Sequence, residues 1–327
     1  MKKIISLLAL VLVVASTSFA QVTSSSITGS VKGDDNKFLD GATIVAVHQP
    51  SGTKYSTTTN KSGAFTILNV RVGGPYVVKI TFSGFKSYEE QGVFAPLGNA
   101  ANVDVALKND AVSMQNIVVK AAPNPIINSK ASGTSVTIGR QALNLTPTIG
   151  RNLNDVTKYN AYSNGRSFAG QDSRFNNFTI DGAVFNNGFG LGSDAQAGGR
   201  TNSTAISLDA LEEVQINITP YDIRQSGFAG AAINAVTRSG TNEFAGSVFR
   251  FWNSRDLAGT KVASKTDNIP KTPFNVETQG FRFGGPIIKD KLFFFVNGEN
   301  EERLEPGTQW TASDANNTPN GINISQA

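Results

Sequence analysis

The 327-residue sequence predicts a mainly β protein in three parts: an N-terminal seven-stranded β-sandwich, an α+β domain, and a last set of strands rich in aromatic residues. Three observations predict it. Only 17% of residues are charged while there are 32 glycines, a balance that favours turn-rich β structure over helical bundles. Short alternating runs recur about every ten residues between Gly, Pro and Asn turns, the spacing of a sandwich. The texture then changes after the turn Ser239-Gly240-Thr241-Asn242, where runs such as Phe249-Arg250-Phe251-Trp252 begin.

The chain opens with a secretory leader over residues 1–20. Lys2 and Lys3 form its positive end, residues 4–14 an apolar core interrupted only by Ser6, and small residues at Ser18 and Ala20 place the cut between Ala20 and Gln21. That core, at about 1.5 Å per residue, is too short to cross about 30 Å of hydrocarbon. No cysteine follows the cut, so lipid attachment there is excluded. Of the net charge of +4, two positives leave with the leader, and the remainder forms no basic patch, which argues against nucleic-acid binding. The absence of cysteine excludes disulfides and thiolate metal sites.

Residues 24–108 read as short strands at 26–32, 42–48, 54–59, 64–69, 76–82 and 103–108 within the expected sandwich. The turn Asn60-Lys61-Ser62-Gly63 joins a hairpin. The one histidine, His48, is expected on the surface at a strand end, and a lone histidine cannot make a zinc site. The turn Asp34-Asp35-Asn36 lacks the spacing of a calcium loop and reads as solvated. The order of Gly41-Ala42 and Gly74-Pro75-Tyr76 within residues 21–108 resembles the carboxypeptidase-regulatory-like domain, an accessory module that implies no peptidase chemistry.

Residues 109–131 are expected to be a linker. In it, Ile117, Val118, Val119, Lys120 and Ala121 form a short run ended by Pro123 and Pro125. An isolated strand of this kind can add to the edge of a partner's sheet. The same run also fits the last strand of the sandwich or the first of the next sheet. It resembles the TonB box of TonB-dependent outer-membrane receptors, with Lys120 where Thr is common. The resemblance implies TonB as a periplasmic partner, reached by strand addition.

Residues 132–240 resemble the plug of such receptors. A strand at 135–138 and helical turns at 140–145 and 152–159 precede the string from Arg174 through Asn176 and Asn177 to Asp181 and Gly182. By itself Asp181-Gly182 is a hairpin signal. With the flanking Phe-Asn-Asn pairs it is similar to Oar-like receptors. Residues 189–200, rich in Gly, Ser and Ala, read as a mobile loop. Residues 207–213 are expected to form a short helix leading to strands at 213–218 and 232–237. In the first of these, Val214, Ile216 and Ile218 alternate with Gln215 and Asn217, as in a half-buried strand.

Residues 241–327 are expected to hold strands at 244–254, 275–284 and 291–299. Gly285-Pro286 and Lys289-Asp290 are read as a polar turn, and Phe293, Phe294 and Phe295 as apolar surface for lipid. The run from Phe281 to Phe295 resembles the start of the Oar-like barrel. A barrel of roughly 22 strands of about ten residues each needs over 200 residues. Residues 241–327 leave room for about four strands, and an open sheet of that size is not tolerated in a bilayer. The expectation is therefore an incomplete transmembrane β-barrel, with the chain the N-terminal fragment of a longer receptor.

The resemblance implies energised import through a plugged barrel of the outer membrane. The N-terminal domain and plug would lie on the periplasmic side, with partners TonB, outer-membrane lipid and an unidentified extracellular substrate. The alternative is an exported β-sandwich binding or adhesion protein at the cell surface. Catalysis has no support. There is no cysteine and no histidine partner for a nucleophile, Glu212-Glu213 read as helix-capping or solvated carboxylates, and no cofactor is implied.

Overall fold

The computed structural model describes residues 23–109, 135–148, 150–187, 194–198, 203–218, 228–257, 259 and 273–304. Two compact units divide the chain: Met1–Ala245 with Phe283–Val296, and Gly246–Arg282 with Asn297–Ala327. Among the described residues the architecture is mainly β with few helices.

The N-terminal part contains β1 (Ser24–Gly33), β2 (Thr43–His48), β3 (Lys54–Thr58), β4 (Ala64–Arg71), β5 (Gly73–Thr81), β6 (Tyr88–Ala95), β7 (Ala100–Asn102) and β8 (Val105–Leu107). One sheet runs β4-β1-β7, with β8 also pairing β1, and the other runs β3-β2-β5-β6. Alternation drives this arrangement: Ile27 and Val31 from the first sheet meet Ile44, Tyr76, Val78 and Ile80 from the second in one buried cluster. Tyr76 also satisfies its hydroxyl, which donates to Arg71 O at 2.6 Å.

Two differences from the expected strands have local causes. The strand read at 103–108 is shortened to β8 and preceded by a separate β7, because Asp104 between them turns back to accept from Ser30 N and Oγ at 2.9 and 2.8 Å. β6 has no apolar alternation to announce it. It is an edge strand carrying Glu89, Glu90 and Gln91, with Gly92 at φ 73° and a register shift opposite Tyr76 and Val77.

The next part contains β9 (Ser135–Gly139), α1 (Arg140–Leu145), α2 (Leu153–Thr157), β10 (Ser163–Asn164), β11 (Ser167–Phe168), β12 (Asn177–Ile180), β13 (Ala183–Val184), β14 (Leu211–Asn217) and β15 (Ala232–Thr237). Helix α1 stops at Thr146, which is extended ahead of Pro147. Helix α2 starts at Asn152, whose side chain accepts from Asp155 N at 2.9 Å. The helix expected at 207–213 is only a 3-10 turn at Leu208–Ala210, since Leu211 already pairs with Thr237 in the sheet.

The five-stranded sheet runs β13-β12-β15-β14-β9, with β12 and β15 parallel. Phe178, Ile180, Val214, Ile216 and Ile233 lie in one core with Leu143, Leu153 and Val156 of the two helices. Registered partners share a face, so Thr179, Asn234, Gln215 and Thr137 form a polar row on the opposite side. That side is covered too: Thr179, Asn234 and Gln215 are buried. The half-buried strand expected at 213–218 is thus buried on both faces.

A three-stranded sheet runs β16 (Ala245–Ser254), β17 (Asn275–Ile288) and β18 (Leu292–Leu304) in that order. β17 continues through Gly285-Pro286, which the sequence placed in a turn. A Cβ at Gly285 would lie 2.2 Å from Phe244 Cδ1, so glycine there makes room for an aromatic ring. The turn itself is confined to Lys289-Asp290-Lys291, with Asp290 at φ 62°. No helix among the described residues is long and apolar enough to cross a membrane, which says nothing of strands.

The Tyr76 hydroxyl gives a test of the N-terminal core. Tyr76→Phe leaves the Arg71 carbonyl without this donor and should lower stability by about 1–2 kcal/mol, whereas Tyr76→Ala should cost about 3–5 kcal/mol. Denaturant unfolding followed by tyrosine and tryptophan fluorescence measures both.

Candidate functional site

The string 174–182 forms the entry to β12 and the hairpin that follows. Asp181 at φ 47° and Gly182 at φ 80° give the two positive angles that a two-residue hairpin loop requires, and β12 pairs with β13 across it. The Asp181 carboxylate then accepts from Thr237 N at 2.9 Å and from Thr237 Oγ1 at 2.6 Å, tying the end of β12 to the end of β15. Asn176 accepts from Ala231 N at 3.0 Å and donates to Arg166 O at 3.1 Å. Gly230 lets the chain pass this amide, because a Cβ there would lie 2.2 Å from Asn176 Oδ1. Asn177 accepts from Asn186 Nδ2 at 2.8 Å, and Asn186 accepts from Phe178 N at 2.7 Å. Arg174 points elsewhere: it pairs with Asp172 on the surface, which raises the guanidinium's pKa and lowers the carboxyl's. Four of the five motif residues therefore serve the sheet's own geometry, and the structure does not gather all five into one pocket.

A second cluster forms where the turn after β6 meets the polar row. Leu97, 1% exposed, donates its N–H to Glu213 Oε1 at 2.5 Å, and its carbonyl accepts from Gln215 Nε2 at 2.6 Å. Both backbone groups of one residue are thus bound by side chains 116 and 118 positions away. Ser25 Oγ steadies the same turn from β1, 2.7 Å from Pro96 O and 2.9 Å from Asn99 O. Gly98 (φ 69°) sits against the Gln215 amide, where a Cβ would approach to 2.9 Å. Burial pushes the Glu213 carboxyl up to about 7. The Leu97 N–H opposes that rise, and neighbouring Glu212 adds to it. Glu213 is therefore neither solvated nor helix-capping, as the sequence suggested, but a buried strand residue.

Beside this contact lies a cavity of about 60 Å³, with His48, Arg71, Arg140 and Glu212 in its wall. That is room for about two waters. Arg140 is ion-paired with Glu212. His48 is buried rather than on the surface. Its Nδ1 lies 2.7 Å from Ser51 Oγ and its ring 4.9 Å from that of Tyr76. Burial, with added repulsion from Arg71 and Arg140, lowers its pKa to about 4. His48 is therefore neutral near pH 7.

The aromatic strands carry a third feature. Phe244, Phe283 and Phe294 cluster with ring centroids 5.5–6.3 Å apart. Elsewhere on these strands large apolar side chains face outward, Val248 at 86% exposed and Trp252 at 66%. Arg250 pairs with Glu277 at 2.8 Å. The run Ile117, Val118, Val119, Lys120 and Ala121, the pair Ala20 and Gln21, and most of the loop 189–200 lie outside the described residues.

Residues 26–108 match the carboxypeptidase regulatory-like domain family, and residues 236–321 match an outer membrane beta barrel domain. The chain is 28% identical over 301 residues to the TonB-dependent transporter Oar of Myxococcus xanthus, covering 87% of this chain and 27% of that protein. It thus spans about a quarter of that relative's length. A looser likeness is to the siderophore receptor PirA of Acinetobacter baumannii, at 20% identity and a TM-score of 0.37, covering 51% of this chain and 24% of that one. The sequence and domain matches make the chain similar to an Oar-like TonB-dependent receptor that carries a carboxypeptidase regulatory-like domain.

Two measurements follow. With a single histidine in the chain, NMR titration of a version without a histidine tag should show one imidazole midpoint near 4 instead of the usual 6.5. Stability held by neutral His48 is present above pH 6.5 and is lost as pH falls toward 4. Asp181→Ala, which removes both bonds to Thr237, should cost about 1–2 kcal/mol. Gly182→Ala at positive φ should cost about 1 kcal/mol. Denaturant midpoints of the two variants read these losses.

Proposed function

We propose that this chain is the N-terminal part of an Oar-like TonB-dependent outer-membrane receptor whose whole-length form imports a substrate across the outer membrane. The observation that carries the reading is the likeness to Oar across 87% of the chain, with an outer membrane beta barrel match at its C-terminal side. In this reading residues 1–20 are the leader cut between Ala20 and Gln21. Residues 21–108 are the accessory β-sandwich, 109–131 the linker, 132–240 the plug and 241–327 the first barrel strands.

The geometry is consistent with these roles. A plug must hold its shape inside a barrel, and the five-stranded sheet is buried on both faces and bound at its strand ends by Asp181 and Asn176. Strands in a barrel wall turn apolar side chains to lipid and pair or solvate their charges on the other side. On β16 Val248 and Trp252 are exposed, and Arg250 lies between them on the same face by alternation, its charge paired with Glu277, a departure from that pattern. Residues 117–121 would supply the strand that TonB adds to its own sheet. The proton motive force of the inner membrane, transmitted through TonB, would then displace or remodel the plug. The reading is one of transport, not catalysis.

In the complete receptor, deletion of residues 117–121 should abolish capture by the periplasmic domain of TonB while leaving the receptor in the outer membrane. Unchanged capture would remove the box assignment. Independently, Val248→Arg should impair membrane assembly by about 2–4 kcal/mol if this position meets the mid-bilayer, read as loss of the heat-modifiable barrel band. Normal assembly would remove Val248 from the lipid face.

A further inference from the structure

The contact between the turn 95–99 and the polar side of the five-stranded sheet contains one group that does not suit a permanent joint. Glu213, 4% exposed, has a single hydrogen-bond donor, Leu97 N, and no cation paired with it among the described residues. Within the sheet its registered neighbours are Gly139 on β9 and Val236 on β15, neither of which is charged. The turn 95–99 contributes no charged side chain. The charges nearest along the chain are Glu212, next in β14, and Asp209, which is paired with Arg151; Arg140 of α1 is engaged with Glu212, and Arg238, just past β15, donates to Leu211 O. A buried carboxylate with one N–H and no counter-ion is costly to keep ionised. Solvent would remove that cost at once if the turn lifted away.

We infer that the turn 95–99 is a proton-linked latch on the five-stranded sheet, held tightest while Glu213 is protonated and loosened when Glu213 ionises. Leu97 is the bolt, since both of its backbone groups and its side chain are engaged. Gln215 is the part of the keeper that does not titrate, so register is retained at any pH while grip is not. The sign follows from burial. The latched state holds the Glu213 proton up to about pH 7, whereas a solvated glutamate releases it near 4.5. Latching is therefore fully favoured below 4.5 and weakens as pH rises through 7. The inference concerns a contact inside this chain and does not rest on the transport reading.

Hydrogen–deuterium exchange of the full chain in detergent micelles tests it, with rates corrected for the intrinsic pH dependence of amide exchange. Between pH 5.5 and 8, protection of the Leu97 amide should fall about 30-fold, the change that a shift from 4.5 to about 7 allows. Amides of β2 and β5 should show no matching loss. In Glu213→Gln, which cannot ionise, protection at Leu97 should stay high across the range. A flat wild-type profile overturns the latch, as does a loss shared equally with β2 and β5, or a Glu213→Gln profile that follows the wild type. If the glutamine variant does not fold, the wild-type profile against β2 and β5 still decides.

Discussion

The structure depends on one constraint: β14 is a central strand with no free face. Its Val214 and Ile216 must meet the helices α1 and α2, and its Glu213 and Gln215 must meet something polar. A buried polar side chain without a partner costs more than a hydrogen bond gains. The backbone of Leu97 answers that demand with one donor and one acceptor. The same pairing fixes where the N-terminal sheets sit on the five-stranded sheet, and Ser25 and Gly98 are explained by it. Ser25 holds the turn from behind, and Gly98 leaves space for the Gln215 amide.

The junction also joins two groups with opposite proton linkage. Burial favours the neutral form of each, and neutrality means losing a proton for His48 and keeping one for Glu213. Acidification below 6.5 therefore works against the histidine, while a rise from 4.5 toward 7 works against the glutamate. The two effects oppose each other between those limits, so the bulk pH dependence of stability understates what each side chain does locally. A site-resolved probe separates them where global unfolding does not.

The motif from Arg174 to Gly182 reads as architecture that function can then use. Asp181 and Gly182 make a tight hairpin, and Asp181, Asn176 and Asn177 bind neighbouring backbone or side-chain groups that would otherwise fray at the strand ends. A sheet stitched in this way resists local opening at its strand ends. The aromatic strands follow a different rule. Large side chains such as Val248 and Trp252 are left exposed there, and glycines at 280 and 285 clear space for Phe249 and Phe244.

The strands at 232–237 and near 245–254, the hairpin at Asp181-Gly182 and the mainly β class were legible because each is written in neighbouring residues: alternation, turn chemistry, and the positive φ that glycine supplies. The sequence alone also determined the paucity of charge and the single histidine, which bound the chemistry available. Tertiary structure decided the rest. Periodicity states which side chains are polar, not what will cover them, so Gln215 looked solvated until Leu97, 118 positions earlier in the chain, was placed on it. His48 looked exposed at a strand end until Ser51, Tyr76 and the junction enclosed it. Gly285-Pro286 looked like a turn until Phe244 required the space. Partners distant along the chain, Leu97 for Gln215, Tyr76 for His48 and Phe244 for Gly285, take part in each case, and burial follows from proximity in space rather than from order in sequence.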